Sequence, residues 1–191
     1  MKSCKFVKSV ANKESIINDN LFEVAFVGRS NVGKSSLINA IFNNKTLAKT
    51  SSTQGHTKLI NYFLVDNCFY LVDLPGYGFH KAGKTNEESW SDLIEEYFKF
   101  KVDNKLILLL LDIRHEPSEQ DRQMLKFLNF YSLPFKIIAT KSDKIAKSKR
   151  NNQKLMIARN MNIGLDDVIF CSSDTKENIE QVKNLIKERV K

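Results

Sequence analysis

Eight consecutive residues, Gly28, Arg29, Ser30, Asn31, Val32, Gly33, Lys34 and Ser35, fit the pattern G-x-x-x-x-G-K-[ST], the spacing of a loop that wraps phosphate. Its glycines let main-chain N–H groups curl around the oxygens with no side chain in the way. The segment follows an apolar run and opens an amphipathic one, so a helix N-terminus adds partial positive charge at the same place. There Lys34 would reach the β- and γ-phosphates and Ser35 would set its hydroxyl on Mg²⁺. Asp73, Leu74, Pro75 and Gly76 close another apolar run. A carboxylate at the end of a buried strand is unfavourable without a task. Asp73 is placed to hold the Mg²⁺ shell through water. Gly76 can turn its N–H to a terminal phosphate and change its dihedrals when that phosphate leaves.

A third group, Thr140, Lys141, Ser142 and Asp143, matches [NT]-K-x-D. A carboxylate such as Asp143 can accept both the N1–H and the exocyclic amine of guanine, a donor pair that adenine lacks. The Lys141 stem can lie along the face of the base. Cys171, Ser172 and Ser173 follow the last apolar run, where main-chain N–H groups would meet guanine O6. That tripeptide is common and carries weight only by its position.

Positioning these groups requires strands that end where the motifs begin. Leu21 to Val27 reads as a strand running into the phosphate loop, and Ser35 to Asn43 as the helix after it. Leu59 to Val65 and Cys68 to Val72 flank Asp66-Asn67, a turn-forming pair, and read as a hairpin. Trp90, Leu93, Ile94, Tyr97 and Phe98 recur at helical spacing and read as a core-facing stripe. Leu106 to Leu111 is an aliphatic strand of the kind buried on both faces. A helix begins at Ser118, a strand covers Phe135 to Ala139, and a basic helix reaches about Met161. Val168 to Cys171 and Asn178 to Val190 are the last strand and helix. This alternation predicts a single α/β domain, a mostly parallel sheet with helices on both faces, whose ligands bind at the carboxyl ends of the strands. Residues 21–191 form that domain in this reading, and residues 1–20 an N-terminal extension packed on it.

Four loops in this order resemble the G1, G3, G4 and G5 elements of TRAFAC-class GTPases. The stretches GRSNVGKSSLINAI, NYFLVDNCFYLVDLPGYGF, LLDIRHEPSEQD and IIATKSDKI are more specifically similar to the EngB/YihA/YsxC family of ribosome-assembly GTPases, from about Phe6 to the final helix. The resemblance implies a GTP-hydrolysing switch in assembly of the large ribosomal subunit, linked in some bacteria to division and septation. It also implies a Mg²⁺-binding threonine in the first switch. Thr53 and Thr57 both qualify, and Thr57 is preferred because Gly55, His56, Thr57, Lys58 and Leu59 lead directly into the second strand. Where the family usually reads P-G-K-T, this chain reads Gln54, Gly55, His56, Thr57. Lys34, Thr57, Gly76 and Asn31 are the residues expected to act on the reacting phosphate. Asn31 either supports K⁺ as a charge-neutralising ion, as in similar GTPases, or makes loop hydrogen bonds. Tyr77 stands where Ras-like enzymes carry a glutamine that orients water, so intrinsic hydrolysis should be slow. Gly76 to Gly83, with three glycines, reads as the mobile second switch. His56 and His80 read as surface residues.

Composition bounds the rest. The 191 residues suit one domain, and the scattered cysteines Cys4, Cys68 and Cys171 have no metal-ligand spacing. No signal sequence, membrane span or prenylation cysteine is evident, so a soluble cytoplasmic protein is expected. The net charge is +8, with 24 of the 30 basic residues lysine. That surplus suits an RNA partner and equally a drift of coding sequence toward A and T. Lys141 to Arg159 holds seven basic residues and one acidic one, either an rRNA-binding face or a solvated helix. A regulatory GTPase with a protein partner, and a scaffold that barely hydrolyses GTP, are the competing readings.

Overall fold

The computed structural model describes residues 1, 3–48, 59–77 and 84–190. Among them are seven strands, β1 (Cys4–Val10), β2 (Phe22–Gly28), β3 (Ile60–Val65), β4 (Phe69–Asp73), β5 (Lys105–Asp112), β6 (Phe135–Thr140) and β7 (Val168–Phe170). They alternate with helices α1 (Lys34–Phe42), α2 (Lys84–Lys99), α3 (Glu119–Phe130), α4 (Lys147–Met161) and α5 (Ile179–Arg189). The strands make one sheet in the order β1-β3-β4-β2-β5-β6-β7. β4, β2, β5, β6 and β7 run parallel, while β3 is antiparallel to both β4 and β1.

The aliphatic run of β5 shows why the sheet is covered on both sides. Side chains alternate across a strand, and here Ile107, Leu109 and Leu111 enter one core cluster while Leu106, Leu108 and Leu110 enter the other. Each fully buried leucine contributes about 1.5–3 kcal/mol relative to exposure. The first cluster takes Leu93, Tyr97 and Phe98 of α2, Leu125 and Leu128 of α3, and Ile157 and Met161 of α4. The second takes Leu37, Ile38 and Ile41 of α1, and Val182 and Ile186 of α5. No helix among the described residues is long and apolar enough to cross a membrane.

Local chemistry sets the element ends. Asp66 and Asn67 both adopt positive φ, 49° and 56°, as a tight hairpin between twisted strands requires. Ser118 caps α3 through a capping box with Asp121, satisfying main-chain donors that the helix start leaves free. The first residues are more than a packed extension. Cys4–Val10 is hydrogen-bonded to β3 with partners Cys4↔Val65 and Val10↔Ile60. The sequence reading has no strand there because the pattern of an edge strand is weak: Phe6 is 57% exposed, and Val10 alone of the seven is buried.

Register brings the motifs to one end of the sheet. Phe26 pairs with Asp73, Gly28 with Leu110, and Asp112 with Thr140, so the loops after β2, β4, β5 and β6 leave the same edge.

Candidate functional site

The loop after β2 is shaped by its main chain. Gly28 cannot carry a side chain: a Cβ there would stand 2.9 Å from both Leu110 O and Val32 Cγ1. Asn31 and Gly33 hold positive φ, 61° and 106°, the second favouring glycine strongly. Positive φ of this kind occurs where main-chain loops form concavities suited to anions; within the loop, Ser30 N–H and Val32 N–H are bonded to Tyr77 O and Arg29 O. Lys34 and Ser35 then open α1.

The loop after β4 lies against this cradle. Leu74 N–H donates to Phe26 O at 3.0 Å, Tyr77 N–H to Gly28 O at 3.3 Å, and Ser30 N–H to Tyr77 O at 3.1 Å. Gly76 is held so close that a Cβ would meet Ser30 Oγ at 3.0 Å and Ser30 N at 3.1 Å. Asp73 is buried, and its carboxylate pairs with the Lys34 ammonium. Pro75 follows at the same strand end. The Tyr77 phenol turns into the core and donates to Asp121 Oδ1 at 2.8 Å. Burial first, then the Asp121 carboxylate, raises its pKa far above the ordinary phenol value. It is therefore occupied by the capping box of α3, a contact that the sequence reading missed.

The loop after β6 is strapped to the first. Thr140 Oγ1 donates to Val32 O at 2.6 Å, and Lys141 Nζ donates to Asn31 O at 2.8 Å. Lys141 also pairs with Asp112 at 2.9 Å, and Arg114 grips the same carboxylate through two nitrogens, at 2.9 and 2.7 Å. Burial opposes ionisation of Asp112, but Arg114 and Lys141 overcome it and hold its pKa far below the usual carboxylate range. These groups line a cleft of about 240 Å³ beside the first loop.

At the other end, the loops after β6 and β7 meet. Ser172 Oγ donates to Asp143 Oδ1 at 2.6 Å, and Lys144 pairs with Asp143 at 2.8 Å. Burial pulls the Asp143 carboxyl upward, but Lys144 and Ser172 outweigh it and keep the group below the usual carboxylate range. Ser142 N–H donates to Cys171 O at 3.1 Å. The Cys171 thiol is buried, which pushes its pKa up to about 12, so this residue contributes its main chain and a core side chain. Ser173 is half-buried next to it.

The structure thus gathers the predicted Gly28–Ser35, Asp73–Gly76, Thr140–Asp143 and Cys171–Ser173 groups at one sheet edge. Leu59 directly precedes β3. Gly55, His56, Thr57 and Lys58, and the alternative Thr53, lie outside the described residues, as do Gly78 to Gly83. Arg150 departs from its sequence reading. Counted there among outward basic residues, it is buried and pairs with Glu177. It shares a helix face with Ile157, Ala158 and Met161, and that spacing was the available signal. Glu177 had no sequence signal.

A phosphate cradle with a lysine and serine at a helix start, a carboxylate at the next strand end, and a carboxylate suited to guanine beyond it define a P-loop GTPase. Comparison with known proteins agrees. A family model described as 50S ribosome-binding GTPase matches residues 23–141. The "Probable GTP-binding protein EngB" of Caldanaerobacter subterraneus subsp. tengcongensis is 42% identical over 188 residues, covering 98% of this chain and 97% of that protein. Its namesake from Streptococcus pneumoniae strain Hungary19A-6 is 41% identical over 189 residues, with 98% and 97% coverage. A crystal structure of a probable GTP-binding protein engB superposes with a TM-score of 0.72 at 26% identity, covering 88% of this chain and 98% of that one. The chain belongs to the EngB family of GTP-binding proteins and is a GTPase.

Proposed function

We propose that this chain is a GTP-driven switch with slow intrinsic hydrolysis that acts in assembly of the large ribosomal subunit in the cytoplasm, and through it supports cell division and septation. The outer surface of α4 carries this reading. Its fifteen residues include no acid, and Lys147, Lys149, Lys154 and Arg159 make no ion pair among the described residues. Unneutralised cations along one helix suit the phosphates of RNA, whose binding they would strengthen by counterion release. The family's description as ribosome-binding points the same way.

In this reading residues Gly28 to Ser35 cradle the phosphates of GTP or GDP, with Lys34 neutralising the outer ones. Main-chain N–H groups provide fixed donors that need no reorganisation as charge develops. The oxygen donors of Ser35, Asp73 and Thr57 suit a hard cation. Asp73 is paired with the Lys34 ammonium in the structure, and the hydroxyl of Ser35 and the carboxylate of Asp73 are oxygen donors of the kind Mg²⁺ takes. Bound there, Mg²⁺ would offset the negative charge of the phosphates. Thr57 of the first switch and Gly76, where the second switch of Gly76 to Gly83 begins, act on the terminal phosphate. Asp143 reads the guanine edge, the Lys141 stem lies along the base, and the Cys171–Ser173 main chain faces O6. Hydrolysis is slow because Tyr77, bonded to Asp121, offers no group to orient water. Asn31 supplies an amide oxygen for K⁺ beside the reacting phosphate. Equal rates in K⁺ and Na⁺, with Asn31→Ala indistinguishable from the natural chain, would remove that role.

The deciding experiment is co-sedimentation with isolated large ribosomal subunits in a non-hydrolysable GTP analogue and in GDP, across a salt series. Binding that depends on nucleotide and weakens steeply with salt is expected. Absence of binding in both nucleotides would leave a GTPase with a protein partner.

A further inference from the structure

We propose that Arg150 and Glu177 are positioning residues for guanine recognition, holding the loop that carries Asp143 in register with the loop that carries Ser172. The inference rests on the reading that Asp143 takes the guanine edge.

Ser142 is the centre of the arrangement. It lies between Lys141 and Asp143 and is fully buried, so whatever fixes it fixes the peptide from which the Asp143 carboxylate projects. Its hydroxyl donates to Glu177 Oε2 at 2.5 Å, and its carbonyl accepts from Arg150 Nε at 3.0 Å. The guanidinium closes the ring by pairing through its Nη1 with Glu177 Oε1. Glu177 reaches the other loop as well, since its main-chain carbonyl accepts from Ser172 N–H at 3.1 Å. Ser172 in turn fixes Asp143 through its hydroxyl, at 2.6 Å. One residue therefore touches both base-facing loops, one with its carboxylate and one with its main chain.

Such an arrangement needs an ion pair for its geometry. A buried salt bridge is weak support for stability, because the loss of hydration offsets much of the attraction. Apolar residues would fill the same space without that loss. What they could not supply is the planar fork of Arg150, which meets a carbonyl and a carboxylate in fixed directions. Lys141 adds to the need: it holds φ at 62°, a conformation L residues seldom keep unless their surroundings impose it.

The test separates aiming from support. GDP and inosine diphosphate differ by the 2-amino group, so their affinity ratio reports how well the base edge is met. Glu177→Ala and Arg150→Met should weaken GDP by about tenfold or more and inosine diphosphate by much less, lowering the ratio by about fivefold. Titration of each nucleotide, with a thermal melt alongside, reads this out. A lower melting temperature with an unchanged ratio would overturn the proposal and leave the pair a support of the fold. Should those variants fail to fold, Ser142→Ala removes one bond of the ring and must still lower the ratio; an unchanged ratio there overturns it equally. Asp143→Asn is the control for the underlying reading: if it leaves the ratio intact, Asp143 does not read guanine. If it abolishes the preference while the pair variants do not, the positioning role alone fails.

Discussion

At one end of the site, residues 28 to 35 are held at their main chain, by positive φ at Asn31 and Gly33, by a close strand contact at Gly28, by bonds from Tyr77 N–H and to Tyr77 O, and by the Thr140 and Lys141 side chains donating to the carbonyls of Val32 and Asn31. At the other end, Asp143 is held through side chains: Ser172, Lys144, and behind them Ser142, Glu177 and Arg150. On the proposed reading of the two ends as phosphate and guanine sites, the difference follows from the targets. A phosphate presents the same oxygens in every nucleotide, so a curved main chain meets it without side-chain choice. A base must be told from other bases, and that needs specific acceptors held at fixed angles. The two ends should therefore fail in different ways.

The largest effect is expected at the base end. Asp143→Asn replaces an acceptor with a group that also donates, losing two charge-assisted bonds of about 1.5–3 kcal/mol each. GDP affinity should fall by roughly 10²–10⁴-fold, and xanthosine diphosphate, which presents a carbonyl in place of the 2-amino group, should gain. Competitive titration with both diphosphates checks this. Loss of both together would mean that the loop collapses, and the contrast between the ends would dissolve.

Gly28→Ala should show the opposite pattern. Its Cβ would press on Leu110 O and Val32 Cγ1 at 2.9 Å, destabilising the fold by about 1–3 kcal/mol. Nucleotides should weaken alike whatever their base. A shift in the ratio of GDP to inosine diphosphate would show that the phosphate loop also sets base choice.

Tyr77→Phe should act on stability alone. It removes one hydrogen bond, worth about 1 kcal/mol, and lowers the melting temperature by about 2–4 °C. Hydrolysis should be unchanged, because the hydroxyl faces Asp121. A slower rate would put the phenol back in the reaction. The smallest effect belongs to pH. The Asp143 carboxyl lies below its usual range, so its charge is complete above the ordinary carboxylate value and is lost only as pH falls through the lowered one. The ratio of GDP to inosine diphosphate affinity, from which the titration of the shared phosphates cancels, should be flat between about pH 8 and pH 5; a decline of the ratio within that window would contradict the charge assigned to Asp143.

Legibility in the sequence follows the same division. The phosphate loop is contiguous, so its residue types and spacing name it directly, and β5 declares its burial through an unbroken aliphatic run. The supports of the base end lie far apart in the chain: Ser142, Arg150 and Glu177 meet only once β6, α4 and the start of α5 are in place. Arg150 also sits among lysines that face outward, so charge counting draws it to the wrong side of α4, where helical spacing with Ile157 and Met161 places it inside. Position along the chain sets Tyr77 where a water-orienting glutamine would stand; its neighbour Asp121 comes from a helix that only the folded sheet brings near.

The place of β1 has a consequence for the order in which the protein takes shape. Synthesis delivers the N-terminus first, yet β1 pairs with β3, residues 60–65. β1 must wait until β2, α1 and β3 have left the ribosome before it pairs with β3. Through that interval Phe6 and Val7 have no cover, and Lys5 and Lys8 stand on either side of them. Flanking charges of this kind keep a waiting strand from pairing with other chains, so the lysines of β1 guard the nascent chain as well as the edge of the finished sheet.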